Sequence, residues 1–113
     1  MTLNIILHPT KRGNFVGTLK DERETRTVFC PRQKEKAKTG ATKFAILEIK
    51  ENEKPKHVKK LGTLVIGKPN GKIRIGNSEG IIVGRAYINE TKIEIAEFKS
   101  RKNGKKYLKG ILI

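Results

Sequence analysis

Apolar and polar residues alternate along most of this chain with a period of two. The segments 64–66, 73–75 and 93–95 contain Leu-Val-Ile, Ile-Arg-Ile and Ile-Glu-Ile, and turn residues bound each of them. Short runs of this kind, rich in β-branched residues, are typical of half-buried β-strands. We predict strands at 2–7, 15–20, 25–30, 42–50, 61–67, 72–76, 81–89, 92–99 and 105–112.

Turn residues separate the predicted strands. Asn-Gly pairs at 70–71 and 103–104 favour tight hairpin turns, because both residue types tolerate left-handed backbone conformations. Segment 42–50 is the best candidate for a helix, but its Phe44 and Ile46 fit a strand equally well. Many short strands at even spacing predict an all-β protein, a single antiparallel barrel or sandwich over residues 1–113.

Two segments, 31–41 and 51–60, lack the alternating pattern. The first carries four cations against Glu35, and the second carries four cations against two glutamates. We expect both to be exposed basic loops.

Charge is the strongest compositional feature. The 113 residues include 26 Lys and Arg against 11 Asp and Glu, a formal net charge of +15. Such an excess repels itself in a compact fold, and a polyanionic partner relieves the repulsion. Nucleic acid is the commonest polyanion, so we expect it to be the partner. The alternative is a generally basic surface with no specific partner.

Several other classes of site have no support in the sequence. Cys30 is the single cysteine, so no internal disulfide forms. His8 and His57 stand apart, without the Cys and His spacing of a metal site. We expect no metal and no cofactor. A signal peptide and an apolar run long enough to span a membrane are both missing, which favours a cytoplasmic protein that does not contact membranes.

The last third of the chain predicts a hairpin with two different faces. If Asn103-Gly104 forms a two-residue turn, Ser100 lies opposite Tyr107 and Phe98 lies opposite Lys109. One face then carries Phe98, Ser100, Lys102, Lys105, Tyr107 and Lys109. The other face carries Ile93, Ile95, Leu108 and Leu112, and we assign it to the core.

Strand 81–89 follows the same rule. Its core residues are expected to be Ile82, Ala86 and Ile88. Arg85 and Tyr87 then project outward beside Phe98 and Tyr107, and Arg74 from the neighbouring strand can join them.

Aromatic rings interleaved with cations suit single-stranded nucleic acid, because unpaired bases stack on rings and phosphates contact cations. Tyr87, Phe98 and Tyr107 are the candidate stacking residues, and the alternative is that these rings pack in the core. Phe29 and Phe44 are assigned to the core, and Phe15 is left open.

These features resemble the small OB-type single-stranded-DNA-binding proteins of phages and plasmids. The shared features are short strands, the basic segment 31–41 between strands, the outward aromatics, and a hairpin from Phe98 to Leu108 that contains glycine. The resemblance implies an OB-like, five-stranded curved barrel that presents one face and two loops to the strand. The acidic C-terminal tail of bacterial single-strand binders is missing, so recruitment of proteins through such a tail is not expected.

We therefore predict a non-catalytic protein that binds single-stranded nucleic acid, DNA in preference to RNA, with weak sequence preference. The segment 32–38 would close over the bound strand. The predicted nucleic-acid-binding residues are Arg32, Lys34, Lys36, Lys38, Arg74, Arg85, Tyr87, Phe98, Lys99, Arg101, Lys102, Lys105, Lys106, Tyr107 and Lys109.

Two other functions fit the composition. One is a small basic ribonuclease of the toxin type, using Lys, Arg and either His57 or Tyr107 for acid–base chemistry. The other is a structural protein associated with RNA, the ribosome or a virion. Exposed sheet edges would also allow a homodimer by sheet extension.

Overall fold

The computed structural model describes residues 3–49 and 59–111, which contain ten strands and no helix. All nine predicted strands are present, with ends moved by up to three residues, and residues 42–49 form a strand rather than a helix. The strands are β1 (Asn4–Pro9), β2 (Phe15–Lys20), β3 (Thr25–Cys30), β4 (Arg32–Lys36), β5 (Thr42–Ile49), β6 (Lys59–Ile66), β7 (Lys72–Ile75), β8 (Ser78–Ile88), β9 (Thr91–Lys99) and β10 (Lys106–Ile111).

Eight of these strands close an antiparallel barrel in the order β1-β2-β3-β5-β6-β8-β9-β10, and β10 pairs with β1 to complete it. The prediction of an all-β protein with a small OB-like antiparallel barrel is confirmed. The barrel has eight strands, where the resemblance implied five. Closure leaves the barrel wall without an open edge.

Strands β4 and β7 extend the barrel at one end. After Pro31 the chain of β3 continues as β4, which pairs with the first half of β5, whereas β3 pairs with the second half. In the same way β7 pairs with the first residues of β8, whose later residues pair with β6. Each of these two pairs forms an arm that projects past the barrel.

The prediction of a loop over 31–41 is wrong in part, because Arg32–Lys36 is a strand and the turn follows it at 37–41. The strand forms because β5 runs past the end of β3, and a polar segment satisfies its backbone N–H and C=O groups. In the predicted loop 51–60, positions 51–58 lie outside the described residues, and Lys59 and Lys60 begin β6.

The core fills the inside of the barrel. An eight-stranded barrel is just wide enough for side chains to fill its interior. The largest fully buried side chains are Ile5, Leu7, Val28, Cys30, Ile46, Leu64, Ile93 and Ile95.

Two phenylalanines illustrate how alternation assigns residues to the core. Phe44 is buried in it as predicted, with the ring of Phe15 packed edge-on at a centroid distance of 5.1 Å. The assignment of Phe29 to the core is wrong. Its neighbours Val28 and Cys30 both point inward, so Phe29 points outward and is half-buried there.

A β-bulge in β8 corrects another prediction. The pairing between β8 and β9 shifts between Ile82 and Gly84, so Val83 enters the core and Ile82 does not. A bulge inserts one extra residue, and this reverses the inward and outward positions before it. Ala86 and Ile88, which follow the bulge, are buried as predicted.

Glycine allows neighbouring strands of the barrel wall to approach closely. A Cβ atom on Gly62 would overlap the backbone carbonyl oxygen of Tyr87, and one on Gly17 would overlap that of Ile6. Glycine in strands commonly marks such close approaches and the sharp bends of small barrels. Within the described residues, no helix is long and apolar enough to cross a membrane.

Candidate nucleic-acid interface

The strand directions bring four connecting segments together at one end of the barrel. Because neighbouring strands are antiparallel, segments 10–14, 31–41, 67–77 and 100–105 all lie at this end, which we call the basic end. Within these segments the one carboxylate is Glu35, and Glu79 of the adjoining β8 lies 3.9 Å from Lys72. The twelve cations of these segments are Lys11, Arg12, Arg32, Lys34, Lys36, Lys38, Lys68, Lys72, Arg74, Arg101, Lys102 and Lys105.

The opposite end differs in charge in the part that the structure describes. Its described turns, 21–24 and 89–90, hold four carboxylates and one cation, Arg23. Next to them Arg26 pairs with Glu24 at 2.7 Å and lies 3.9 Å from oxygens of both Asp21 and Glu48. The hydrogen bond from Arg26 to Glu24 raises the pKa of the guanidinium. Among the described loops, the cations are therefore concentrated at one end, which would attract a polyanion.

Hydrogen bonds connect the segments of the basic end in two pairs. The backbone N–H of Arg32 donates to Oδ1 of Asn14 at 2.9 Å, which joins the β1–β2 loop to the start of β4. The Nη2 group of Arg101 donates to the carbonyl oxygen of Asn77 at 2.8 Å, which joins the β9–β10 loop to the β7–β8 turn. The four segments that carry the cations are thus connected in two pairs.

The hairpin of β9 and β10 has the predicted faces but a different register. Tyr107 pairs with Phe98, and the connection is a loop over 100–105 rather than a two-residue turn at Asn103-Gly104. The register therefore differs from the prediction by two residues, which leaves the described residues of β9 and β10 on their predicted faces, whereas Ser100, Lys102 and Lys105 lie in the loop. Leu108 is buried in the core and Tyr107 lies outside. Leu112 lies outside the described residues.

Phe98 faces outward but is not exposed. Its ring stacks on that of Tyr107 at a centroid distance of 5.9 Å, Gly80 of β8 covers it, and 3% of its surface is accessible. The prediction that Phe98 stacks on bases is wrong, because the start of β8 lies over the ring. The ring of Phe98 instead packs against the ring of Tyr107.

His8 extends this ring cluster, and sequence reasoning missed it. Its exposed ring lies 6.0 Å from the ring of Tyr107, because β1 pairs with β10. The alternation around buried Leu7 shows that His8 points outward. Only the pairing of the first and last strands shows that Tyr107 is beside it.

Tyr87 and Arg85 point outward as predicted, and Tyr87 is 44% exposed. Their expected place beside Phe98 and Tyr107 is wrong. Tyr87 pairs with Lys92 on β9, six residues from Phe98, a distance of about 20 Å along the strand. The outward-pointing rings of the described residues therefore occupy separate positions on the barrel wall: exposed Tyr87 on β8, half-buried Tyr107 beside His8, and half-buried Phe29 on β3.

The predicted cations are exposed, apart from the half-buried Lys109. Arg85 pairs with Glu94 at 3.5 Å and Lys106 with Glu97 at 3.6 Å. The other predicted cations form no ion pair with any described residue. Most of this set is therefore available to phosphate groups.

Other chemistry finds little support in the described part of the chain. No group of three or more His, Cys, Asp or Glu side chains there is arranged to hold a metal ion. Burial raises the pKa of the Cys30 thiol to about 12, so this side chain is a poor nucleophile.

Relatives give no guide to the activity. Comparison with known proteins finds no family that matches the chain, no similar curated protein and no similar solved structure.

Proposed function

We propose that this protein binds single-stranded nucleic acid at the basic end and does not catalyse a reaction. The observation that carries this proposal is the concentration of twelve cations and one carboxylate in four neighbouring segments. Binding of phosphates to such a surface releases condensed counterions, which supplies affinity without sequence specificity.

The ring pair of His8 and Tyr107 supports a preference for unpaired strands. It lies on the wall just below the basic end, on the same face of β10 as Lys109. A duplex hides the faces of its bases, whereas an unpaired strand offers them for stacking. We favour DNA over RNA because of the resemblance to the phage and plasmid proteins.

Titration of labelled single-stranded DNA, duplex DNA and RNA at about 50 and about 200 mM salt tests the proposal. If about five phosphates are contacted, the logarithm of the affinity for single strands falls with that of the salt concentration at a slope of about −3.5. A salt-independent affinity, or tighter binding of duplex than of single strands, would contradict the proposal.

A pair of charge-matched variants locates the surface. The triple variant Lys34→Gln, Lys102→Gln, Lys105→Gln removes three charges at the basic end and should weaken binding by about tenfold or more. The control variant Lys20→Gln, Arg23→Gln, Lys59→Gln removes three charges at the opposite end and should weaken it much less. Equal losses in both variants would indicate that net charge alone attracts the nucleic acid.

The same samples separate binding from ribonuclease activity. We expect labelled RNA to remain intact during prolonged incubation with the protein. RNA cleavage that survives purification and disappears in a Tyr107→Phe variant would instead support the alternative function, a small basic ribonuclease.

A further inference from the structure

A groove of about 470 Å³ lies on the outer wall of the barrel, over β6 and β8. The β4–β5 turn forms part of one side, and Lys68 and Asn70 from the segment after β6 contribute to its lining. Since all these segments belong to the basic end, the groove is continuous with the proposed nucleic-acid surface. Its volume falls within the range of small-molecule sites.

One wall of the groove combines a ring with an ion pair. Tyr87 is 44% exposed and is two residues from Arg85 on the same face of β8. Nε of Arg85 lies 3.5 Å from Oε1 of Glu94 on β9, and the side chain of Glu94 is 18% exposed. The groove therefore offers a stacking surface, hydrogen-bond donors and a carboxylate acceptor side by side.

We propose that this groove holds one unpaired guanine of the strand bound at the basic end, an inference that depends on the proposed function. The ring of Tyr87 would stack on the base, as aromatic side chains do with unpaired bases. The carboxylate of Glu94 would accept hydrogen bonds from N1–H and the N2 amino group of guanine. Arg85, whose guanidinium has five N–H donors, would donate to O6.

Guanine fits this set of groups better than the other bases. Its pairing edge places two neighbouring donors next to one acceptor, which matches both oxygens of a carboxylate beside a guanidinium. Thymine and uracil present one N–H between two carbonyl groups, and one oxygen of Glu94 would then face an acceptor. Adenine and cytosine present an amino group next to an unprotonated ring nitrogen, which a carboxylate repels.

Charge around the groove favours a nucleotide over an uncharged occupant. Lys68 lines the groove, and the exposed Lys36 and Lys38 are the sequence neighbours of Ala37, which also lines it. These cations would contact the phosphates that flank the base. The inserted base then becomes part of the path that the strand follows from the basic end.

Fluorescence anisotropy with labelled twelve-nucleotide probes tests the inference. The probes are oligo(dT) and the same strand with one central dG, dC or dA, together with the matching uridine-based RNAs. We expect about tenfold tighter binding of the dG probe than of oligo(dT). In Glu94→Gln the ratio of these two affinities should fall to about one, and the RNA series shows whether the sugar matters.

Two further variants control for charge and for stacking. Glu79→Gln removes one carboxylate from β8 outside the groove and should keep the guanine preference. Tyr87→Ala should weaken binding of the dG probe by about tenfold. Tyr87→Phe, which keeps the ring, should bind the dG probe as tightly as the wild type does.

The outcomes separate this inference from the proposed function. Equal affinity for all DNA probes, or a guanine preference that survives Glu94→Gln, would overturn the guanine site. If the triple variant of the basic end still lowers the affinity for oligo(dT), the proposed function stands without the guanine site. Failure of the protein to bind any probe would overturn both.

Discussion

Gly80 lies directly against the ring of Phe98: a Cβ atom placed on Gly80 would lie 2.6 Å from Cε1 and 2.7 Å from Cζ of that ring. The missing side chain allows the start of β8 to cover an outward-facing aromatic residue. Phe98 stacks in turn on Tyr107, which lies beside His8. The absence of a side chain at Gly80 therefore leaves the space in which the Phe98 ring packs beside Tyr107.

Substitution Gly80→Ala should destabilise the protein and move the ring of Tyr107. The added methyl group has no space beside a buried ring, and overpacking of this kind costs about 1–3 kcal/mol. Urea unfolding measures the loss, and near-ultraviolet circular dichroism reports the change in ring packing. Ser78→Ala, an exposed position on the same strand, is the matched control. Unchanged stability and an unchanged spectrum in Gly80→Ala would contradict this account of Phe98.

Tyr107→Ala and Leu108→Ala should have opposite effects. Tyr107 lies outside, so its loss should weaken single-strand binding by about 1–3 kcal/mol and affect folding little. Leu108 is buried in the core, so its loss should cost about 2–5 kcal/mol of stability. Thermal unfolding and DNA titration of both variants check this contrast. The reverse pattern would mean that Tyr107 is structural and is not a binding residue.

Alkaline pH should destabilise the protein through Cys30. Burial raises the pKa of its thiol from 9.0 to about 12 in the folded state. The contribution of the protonated Cys30 thiol to the free energy of unfolding is complete below pH 9. It is lost as the pH rises from 9 toward 12, because the thiol of the unfolded chain loses its proton at a lower pH than that of the folded protein. At pH 10 the wild type should lose about 1 kcal/mol of unfolding free energy relative to Cys30→Ala. The same pH dependence of the unfolding free energy in the wild type and in Cys30→Ala would show that burial does not raise the pKa of the thiol.

At acid pH the carboxylate of Asp21 should stop contributing to the stability of the fold. Its carboxylate accepts hydrogen bonds from the backbone N–H of Glu24 and of Arg23, and these lower its pKa below 3.8. The stabilisation is present above that value and is lost as the pH falls through the lowered pKa. The difference in melting temperature between wild type and Asp21→Asn should therefore shrink as the pH falls below about 4. A difference that is constant with pH would indicate that the charge contributes nothing.

Alternation along the chain predicted most of the strands, but it carried no sign of β4. The residues of Arg32–Lys36 are all exposed, so no apolar period marks them. They form a strand because the backbone of β5 continues beyond β3 and pairs with them. A strand of this kind depends on a partner distant in sequence, which local propensity does not reveal.

The sequence by itself determined which residues of β9 and β10 point inward, because strand alternation is local and an even change in register preserves it. Tertiary structure alone decided that Phe98 is covered by β8, that a bulge places Val83 rather than Ile82 in the core, and that Tyr87 lies far from Tyr107. It also decided that four basic segments meet at one end. That arrangement follows from closure of the barrel, in which antiparallel pairing brings alternate connections to the same end regardless of their separation along the chain.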